Sequence, residues 1–350
     1  EAGMNFIRNA WYMAAWAEDV SEKCLTRMLL GEQVLMYRLA SGEAVAMLDR
    51  CPHRFAPLSK GVRHGDVIEC LYHGLRFDGA GACVMNPHGD GKIPPNAKLK
   101  TYPLVERDTI LWIWMGDPAR ADESRIPEFR FLVDPNYRAL KGMNTVGAYY
   151  ELVTDNLLDL SHINFLHAAY QKNEELLKVE HHITQEGDTL FSRRWVPDHM
   201  GPLFFRQHLK DKERHVDYWL RSRWDAPCSM SLDVGVTYTG QPEDEGLRGL
   251  GTHVITPESE RSTHYFYALA RNHDQSNTEV DAKIREWQRV AFKEQDQPML
   301  EDVQRLMGTT DLMSLKPVIL TADNLAMRAR RIITRLVQDD AAEPLRSAAA

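Results

Sequence analysis

The sequence predicts an α+β chain in two parts, a small all-β domain followed by an antiparallel sheet flanked by helices. Three observations carry this reading. Short runs broken by turn residues fill the first third, longer strand-like runs occupy the middle, and two strongly periodic helical patterns close the chain. At 350 residues there is room for two domains that each bury a core without disulfides.

In the first part, residues 33–39 and 44–49 flank Ser41-Gly42 as a hairpin pattern, and 109–114 is an aromatic-rich apolar run. Asp78-Gly79 marks another turn. The Pro- and Gly-rich stretch 88–95 reads as a loop excursion, and 117–135 as the passage between domains. The expected domains are 4–135, passage included, and 136–340; Glu1-Ala2-Gly3 ahead of Met4 reads as an expression remnant and is set aside. In the second part, 149–160 has helical spacing and strand-like runs follow at 189–196, 218–223, 230–238, 250–256 and 264–270. Helical patterns then span 279–306 and 321–337.

Cys51-Pro52-His53-Arg54 and Cys70-Leu71-Tyr72-His73 offer two thiolates and two imidazoles in paired Cys-x-His and Cys-x-x-His loops. Structural zinc accepts the same donors but usually pairs like ligands, C-x(2–4)-C with H-x(3–5)-H. Here the types interleave. A Rieske [2Fe–2S] cluster takes two Cys on one iron and two His on the other, the imidazoles raising its potential to roughly −150 to +300 mV. Cys51 and Cys70 are therefore expected on the first iron, His53 and His73 on the second. Gly61, Gly74, Gly79 and Gly81 around the loops suit tight turns. The other three of the five cysteines, Cys24, Cys83 and Cys228, stand at no metal-binding spacing and read as small buried hydrophobes.

Formal charge is −8, from 42 Lys and Arg against 50 Asp and Glu, which argues against a nucleic-acid footprint. No apolar run reaches about eighteen residues and no basic-then-apolar leader is present, so no membrane span or secretion is expected. An iron–sulfur protein without disulfide patterning is expected in the reducing cytoplasm. Arg193-Arg194 is a basic pair, and Arg328-Ala329-Arg330-Arg331 on a C-terminal helix reads as a solvated face, with docking of an acidic electron donor as the second reading.

Asp155-Asn156-Leu157-Leu158-Asp159-Leu160-Ser161-His162-Ile163-Asn164-Phe165-Leu166-His167 supplies two imidazoles at an i, i+5 spacing. Two His with one carboxylate and open positions form the facial triad of non-haem Fe(II) oxygenases. Such a pair diverges by about 140° on an ideal helix, so the helix is expected to bulge or break between them. Asp159 stands one turn before His162, where its carboxylate can accept the free N–H of a metal-bound ring. On spacing alone, these histidines are also ordinary helix or core residues. The third ligand stays open among Glu294, Asp296 and Glu301, and Pro298 beside them implies a kink.

Together with Asn9-Ala10-Trp11-Tyr12, Phe55-Ala56-Pro57-Leu58 and the Val105-Glu106-Arg107 to Gly116-Asp117-Pro118 segment, the Cys/His loops resemble the N-terminal domain of Rieske non-haem iron oxygenases. The Asn-Leu-Leu-Asp-Leu-Ser-His run resembles the iron motif of that family. The resemblance spans essentially the whole chain and points to the O-demethylase branch typified by vanillate and dicamba demethylases, with toluenesulfonate methyl-monooxygenases close by. Leu71 departs from it, where many relatives carry Pro. The resemblance implies a helix-grip catalytic domain, with mononuclear Fe(II) held by His162, His167 and Asp296. It also implies a homotrimer in which Asp159 links His162 to the partner subunit's His73.

The implied activity is monooxygenation of a small aromatic substrate with O2, foremost O-demethylation of a methoxylated aromatic acid with formaldehyde release. Hydroxylation of a methyl, amine or ring carbon is the alternative, and a Rieske electron carrier joined to a ligand-binding module is the non-enzyme reading. His253 resembles a position that contacts the acid group of the substrate, against its reading as a hydrogen-bonded core histidine. Trp195, Phe204, Phe205, Trp219 and Trp224 are candidates for an aromatic pocket, although large aromatics are commonly core. Gly79-x-Gly81 and Gly249-x-Gly251 lack the last glycine of a dinucleotide fingerprint, and no plant-type ferredoxin spacing occurs. Electrons are therefore expected from a separate NAD(P)H-dependent reductase or ferredoxin.

Overall fold

The computed structural model describes residues 6–168 and 174–347, with side chains as far as residue 342. It divides into a unit ending at Ile126 and a unit beginning at Pro127, a division inside the stretch read as the interdomain passage.

The first unit is built from three small antiparallel sheets. In one, Ile110–Trp114 lies between Trp11–Trp16 and Leu104–Arg107. Every residue of Trp11–Trp16 and Ile110–Trp114 is buried, which explains why both read as continuous apolar runs without alternation. A second sheet takes Leu25–Leu29, Glu32–Arg38, Ala44–Leu48 and Thr101–Tyr102; it contains the predicted hairpin, with Gly42 at φ +88° in its turn. The third runs Val62–His64, Val67–Glu69, Arg76–Phe77, Cys83–Met85. One Cys/His loop precedes this sheet and the other joins its second strand to its third.

The second unit is organised on a seven-stranded antiparallel sheet ordered Arg138–Val146, Ser262–Arg271, Leu247–Ser259, Ser229–Tyr238, Val216–Asp225, Thr189–His199, His182–Glu186. All five predicted strands are present and longer than expected. The two edge strands were not anticipated: Arg138–Val146 carries Gly142 and several polar residues, and His182–Glu186 is almost wholly exposed, so neither shows an alternating pattern. Within the sheet, Trp219 lies over its cross-strand partner Gly235, where a Cβ would collide with the indole.

The run expected at 279–306 is helical throughout but in three pieces. Asn277 Oδ1 accepts from Glu279 and Val280 N–H to start Thr278–Gln288, a π-helical turn follows over Arg289–Asp296, and Gln297–Met307 ends at Gly308 with φ +66°. The wide turn is shown by the Gln297 N–H reaching Phe292 O. Pro298 falls in the first turn of the new α segment, so its missing N–H coincides with the register change and the helix continues past it.

Asn324–Ser347 packs against the Tyr150–Leu158 helix through Arg330, whose guanidinium stands 2.7 Å from Glu151 Oε2 and 2.6 Å from Asp155 Oδ2. The basic run at 328–331 is thus not a uniform solvated face, since Arg330 is buried. No helix among the described residues is long and apolar enough to cross a membrane.

Candidate metal centres and substrate cavity

The two Cys/His loops share one hydrogen-bond plan. Cys51 N–H donates to Ala56 O and Phe55 N–H to Cys51 O, both at 2.9 Å; Cys70 N–H donates to Leu75 O and Gly74 N–H to Cys70 O, both at 2.8 Å. The fourth residue after each Cys turns left-handed, Phe55 at φ +60° and Gly74 at +72°. For Gly74 that costs little, whereas Phe55 holds a conformation disfavoured for a bulky side chain. The turns direct Cys51 and Cys70 into an apolar cluster with Leu58, Ile68 and Phe77, and leave His53 and His73 outside with ring centroids 4.5 Å apart.

Burial pushes the Cys51 thiol up to about 11, with Cys70 beside it adding to the rise. A thiol that resists ionisation becomes a ligand once a metal deprotonates it, and Cys70 stands beside Cys51 to share that metal. His73 Nδ1 is shielded from solvent with no hydrogen-bond partner, a state a polar atom avoids unless something else engages it. Paired inner thiols, paired outer imidazoles and an unsatisfied ring nitrogen suit a [2Fe–2S] cluster. Tyr72, its ring 4.0 Å from that of His73, and His88, whose Nε2 lies 2.8 Å from His73 O, support the outer pair. Neither was singled out from the sequence, because His88 sits in the excursion at 88–95 and has no ligand spacing.

In the second unit the Tyr150–Leu158 helix stops at Asp159, which leaves α geometry at φ −105°, ψ 87°. The chain then makes a 3₁₀ turn over Leu160–His162 and a short helix over Ile163–Leu166, ending at His167. The break therefore falls just before His162 rather than between the histidines. It brings their ring centroids to 5.2 Å. Asp296, the last residue of the π turn, places Oδ1 3.6 Å from His162 Nε2 and 3.3 Å from His167 Nε2. The expected i→i+5 irregularity is thus found on the segment that bears the carboxylate.

Of the rival carboxylates, Glu294 pairs with Arg289 at the surface and Glu301 Oε1 accepts Gly147 N–H at 2.9 Å. Neither joins the histidines. The three converging side chains fit a metal that takes two imidazoles and a carboxylate. Gln295 Oε1 stands 2.7 Å from His167 Nδ1, and Asn156 Nδ2 lies 3.4 Å from Asp296 Oδ1. Burial opposes the charged form of His167, but Asp296 and Gln295 outweigh it and hold its pKa above the ordinary value. The arrangement at Asp159 differs from the expectation: its backbone carbonyl, 2.6 Å away, takes His162 Nδ1–H, while the carboxylate accepts Ser161 N–H at 2.9 Å. The turn out of α geometry brings that carbonyl to the ring and leaves the carboxylate as a cap.

His162 and His167 border an apolar cavity walled by Leu157, Leu220, Leu232, Val234, Phe204, Phe205 and Phe292. Of the five aromatic candidates only Phe204 and Phe205 reach it. Trp195 stacks on Trp219 at 6.2 Å, Trp219 donates Nε1–H to Asp233 at 3.0 Å, and Trp224 is core. His253 does line the cavity; its Nδ1 lies 2.7 Å from Tyr265 OH, and burial lowers its pKa to about 4, so it is neutral near pH 7. The sequence reading missed Trp287, whose Nε1 is buried and unpartnered in the cavity wall, and noted Arg194 only as half of a basic pair although it lines the same space. Arg193 beside it is exposed, as period-two alternation along the strand requires.

The Rieske [2Fe-2S] domain family matches residues 10–103, and the family described as the vanillate O-demethylase oxygenase C-terminal domain matches 146–339, more than half of the chain. The chain belongs to the Rieske non-haem iron oxygenases. This oxygenase is 38% identical over 339 residues to the dicamba O-demethylase oxygenase component of Stenotrophomonas maltophilia, covering 97% of this chain and 100% of that one. It is 40% identical over 330 residues to the chloroacetanilide N-alkylformylase oxygenase component of Rhizorhabdus wittichii, covering 94% of each. A crystal structure of dicamba monooxygenase bound to 3,6-dichlorosalicylic acid matches with TM-score 0.92 and 38% identity over 96% of this chain and 99% of that one. As a Rieske oxygenase, the protein is the oxygenase component of a monooxygenase system and an oxidoreductase, with a [2Fe–2S] cluster and a mononuclear iron as cofactors.

Proposed function

We propose that this oxygenase monooxygenates a small aromatic molecule held beside His162 and His167, foremost by O-demethylation of a methoxylated aromatic acid. The observation that carries this reading is the union of a His/His/Asp triad with an apolar, aromatic-walled cavity inside one unit. His162, His167 and Asp296 hold the iron, and Cys51, Cys70, His53 and His73 hold the cluster. When bound, these groups supply O2 activation at open coordination positions and electrons delivered singly. In the net reaction one oxygen atom enters a methyl C–H bond and the other leaves as water with two electrons and two protons. The resulting hemiacetal collapses to a phenol and formaldehyde.

The chain's own contribution is placement. Phe204, Phe205 and Phe292 exclude water and confine a ring, while Gln295 and the Asp159 carbonyl fix the imidazoles so that Nε2 of each faces Asp296. His253 and Trp287 offer neutral hydrogen-bonding nitrogens to a polar substituent. A separate NAD(P)H-dependent reductase or ferredoxin supplies the electrons; that known relatives are oxygenase components supports this. We further place the protein in the cytoplasm, in catabolism of aromatic compounds, as a homotrimer in which Asp159 meets the partner subunit's His73. The Asp159 carboxylate accepts Ser161 N–H at Oδ1, which orients it at the break in the helix.

A second reading, hydroxylation of a methyl, amine or ring carbon on a neutral molecule, is favoured by the uncharged His253 and the aliphatic walls. Formaldehyde release and phenol formation across methoxybenzoates and N-alkyl anilides, with a competent reductase, decide between them. Formaldehyde with a phenol from the acids supports the first reading. Turnover of the anilides alone supports the second, and iron analysis finding only cluster iron would leave an electron carrier.

A further inference from the structure

Two imidazoles and a carboxylate converge a second time among the described residues, away from the iron triad, at His208, His273 and Asp274. His208 follows the short Leu203–Arg206 helix, whose Phe204 and Phe205 wall the cavity, and His273 and Asp274 follow the Ser262–Arg271 strand. Asp274 Oδ2 lies 2.8 Å from His208 Nδ1 and 3.1 Å from His273 Nδ1, and the two rings are 4.8 Å apart at their centroids. Donors bonded at about 2.0–2.1 Å to a tetrahedral ion stand about 3.3 Å from one another, so the two nitrogen–oxygen separations admit one by opening a few tenths of an ångström, and all three donor atoms lie within 4.8 Å of one another. At the iron triad the corresponding separations are 3.6 and 3.3 Å. The carboxylate-to-imidazole separations of the second cluster are the shorter.

It is also held in place before any ion arrives. Asp274 adopts φ +46°, and its carbonyl accepts from Arg271 Nη2 at 2.8 Å and from Asn277 N–H at 3.0 Å. The side chain of His273 is 9% exposed and that of His208 13%, against 39% for Asp274, so solvent reaches the cluster from the carboxylate side. Arg271 is the nearby charge that opposes a cation. Its guanidinium is already matched by Asp281 at 2.6 Å, which also pairs with Arg138 at 2.8 Å.

We propose that His208, His273 and Asp274 form an auxiliary site for a divalent cation of the zinc class, distinct from the catalytic iron. Imidazole-rich donors with one carboxylate suit Zn2+ or a similar transition ion, whereas Ca2+ and Mg2+ call for an oxygen shell that this cluster lacks. Water completes the coordination on the exposed side. Phe205 packs on His273 at 6.4 Å and also lines the cavity, so the bound ion ties the Leu203–Arg206 segment to the turn before the Thr278–Gln288 helix and stiffens that wall.

The test uses enzyme with both iron centres loaded, stripped of loose metal on a chelating resin and titrated with Zn2+ against a chromophoric chelator. One tight zinc per chain is expected for the wild type, with affinity at least tenfold lower in both His208→Asn and Asp274→Asn, and iron content and Rieske spectrum unchanged. Zinc should raise the melting temperature of the wild type but not of either variant, and X-ray absorption at the zinc edge should show nitrogen and oxygen ligands without sulfur. A wild type that binds no zinc at micromolar concentration, or variants that bind it equally well, overturns the site. Displacement of iron by zinc overturns it too, because the ion then occupies the catalytic triad.

Discussion

In the first unit, candidate metal ligands come from two loops with the same hydrogen-bond plan, each Cys closing a turn onto the residues that follow it. In the second unit they come from two irregular helices, one broken at Asp159 and one widened into a π turn that ends at Asp296, 140 residues from Asn156 in sequence. Loop turns are local and place four donors with little help from elsewhere. A helix has to be deformed before its side chains can converge, and the deformation is held by contacts from distant segments such as Gln295 to His167 and Arg330 to Asp155.

The largest expected effects come from removing one donor at each site. Cys70→Ser should bleach the Rieske absorption and stop turnover. His162→Ala should also stop turnover and lose the mononuclear iron, yet keep the Rieske spectrum, since its ligands lie in the other unit. Absorption spectra and iron analysis on folded protein check both, and loss of the spectrum in His162→Ala would show that the centres are not built independently.

Asp159→Asn tests the irregular helix more finely. Asn caps as well as Asp does, so the Ser161 N–H contact and the break should persist and both centres should keep their metals. On the proposed contact of the Asp159 carboxylate with the partner subunit's His73, a carboxylate beside a metal-bound imidazole contributes about 10–100-fold to activity, and product in a single turnover from fully reduced enzyme should fall by about that factor. Wild-type product yield with metals retained would remove Asp159 from electron coupling, whereas loss of mononuclear iron would make it a ligand.

The same contrast explains what could be read in advance. The Cys/His loops were legible because type and spacing together define a local turn. Spacing alone left Glu294, Asp296 and Glu301 open, and only the resemblance selected Asp296, because the choice depends on a π turn that aims one carboxylate inward while Arg289 and Gly147 engage the others. Trp287 and Arg194 were missed for a related reason. Trp287 stands between Glu286 and Gln288, and Arg194 beside an exposed Arg193, so neither local sequence marks a cavity wall.

A smaller but still large effect is expected beneath the broken helix, where Arg330 neutralises Glu151 and Asp155. Arg330→Met should destabilise the second unit by about 3–5 kcal/mol in urea unfolding, because it leaves two buried carboxylates without their cation. The Arg330→Met/Asp155→Asn/Glu151→Gln triple variant should recover most of that loss. If the single variant unfolds like the wild type, the Tyr150–Leu158 helix does not depend on this cluster.

Glu151→Gln carries the smallest effect and the clearest sign. Burial raises the pKa of Glu151 to about 7 despite the attraction of Arg330, which Asp155 shares through Nε and Nη2. In the unfolded chain a glutamate titrates near about 4.3. Between those values the folded protein holds a proton that the unfolded chain has released, so the contribution of Glu151 to stability is full below about pH 4.3 and is lost as pH rises to about 7. Glutamine cannot ionise and escapes that loss, so the stability of Glu151→Gln relative to wild type should rise by about 1–3 kcal/mol from pH 5 to pH 8. Asp155 is raised by burial as well and has the same sign, so a residual slope should remain in the variant. Urea unfolding of both proteins at unit steps of pH reads this difference directly; a gap that stays constant would mean that Arg330 holds Glu151 ionised throughout, and that the helix leading to Asp159 rests on a full ion triad.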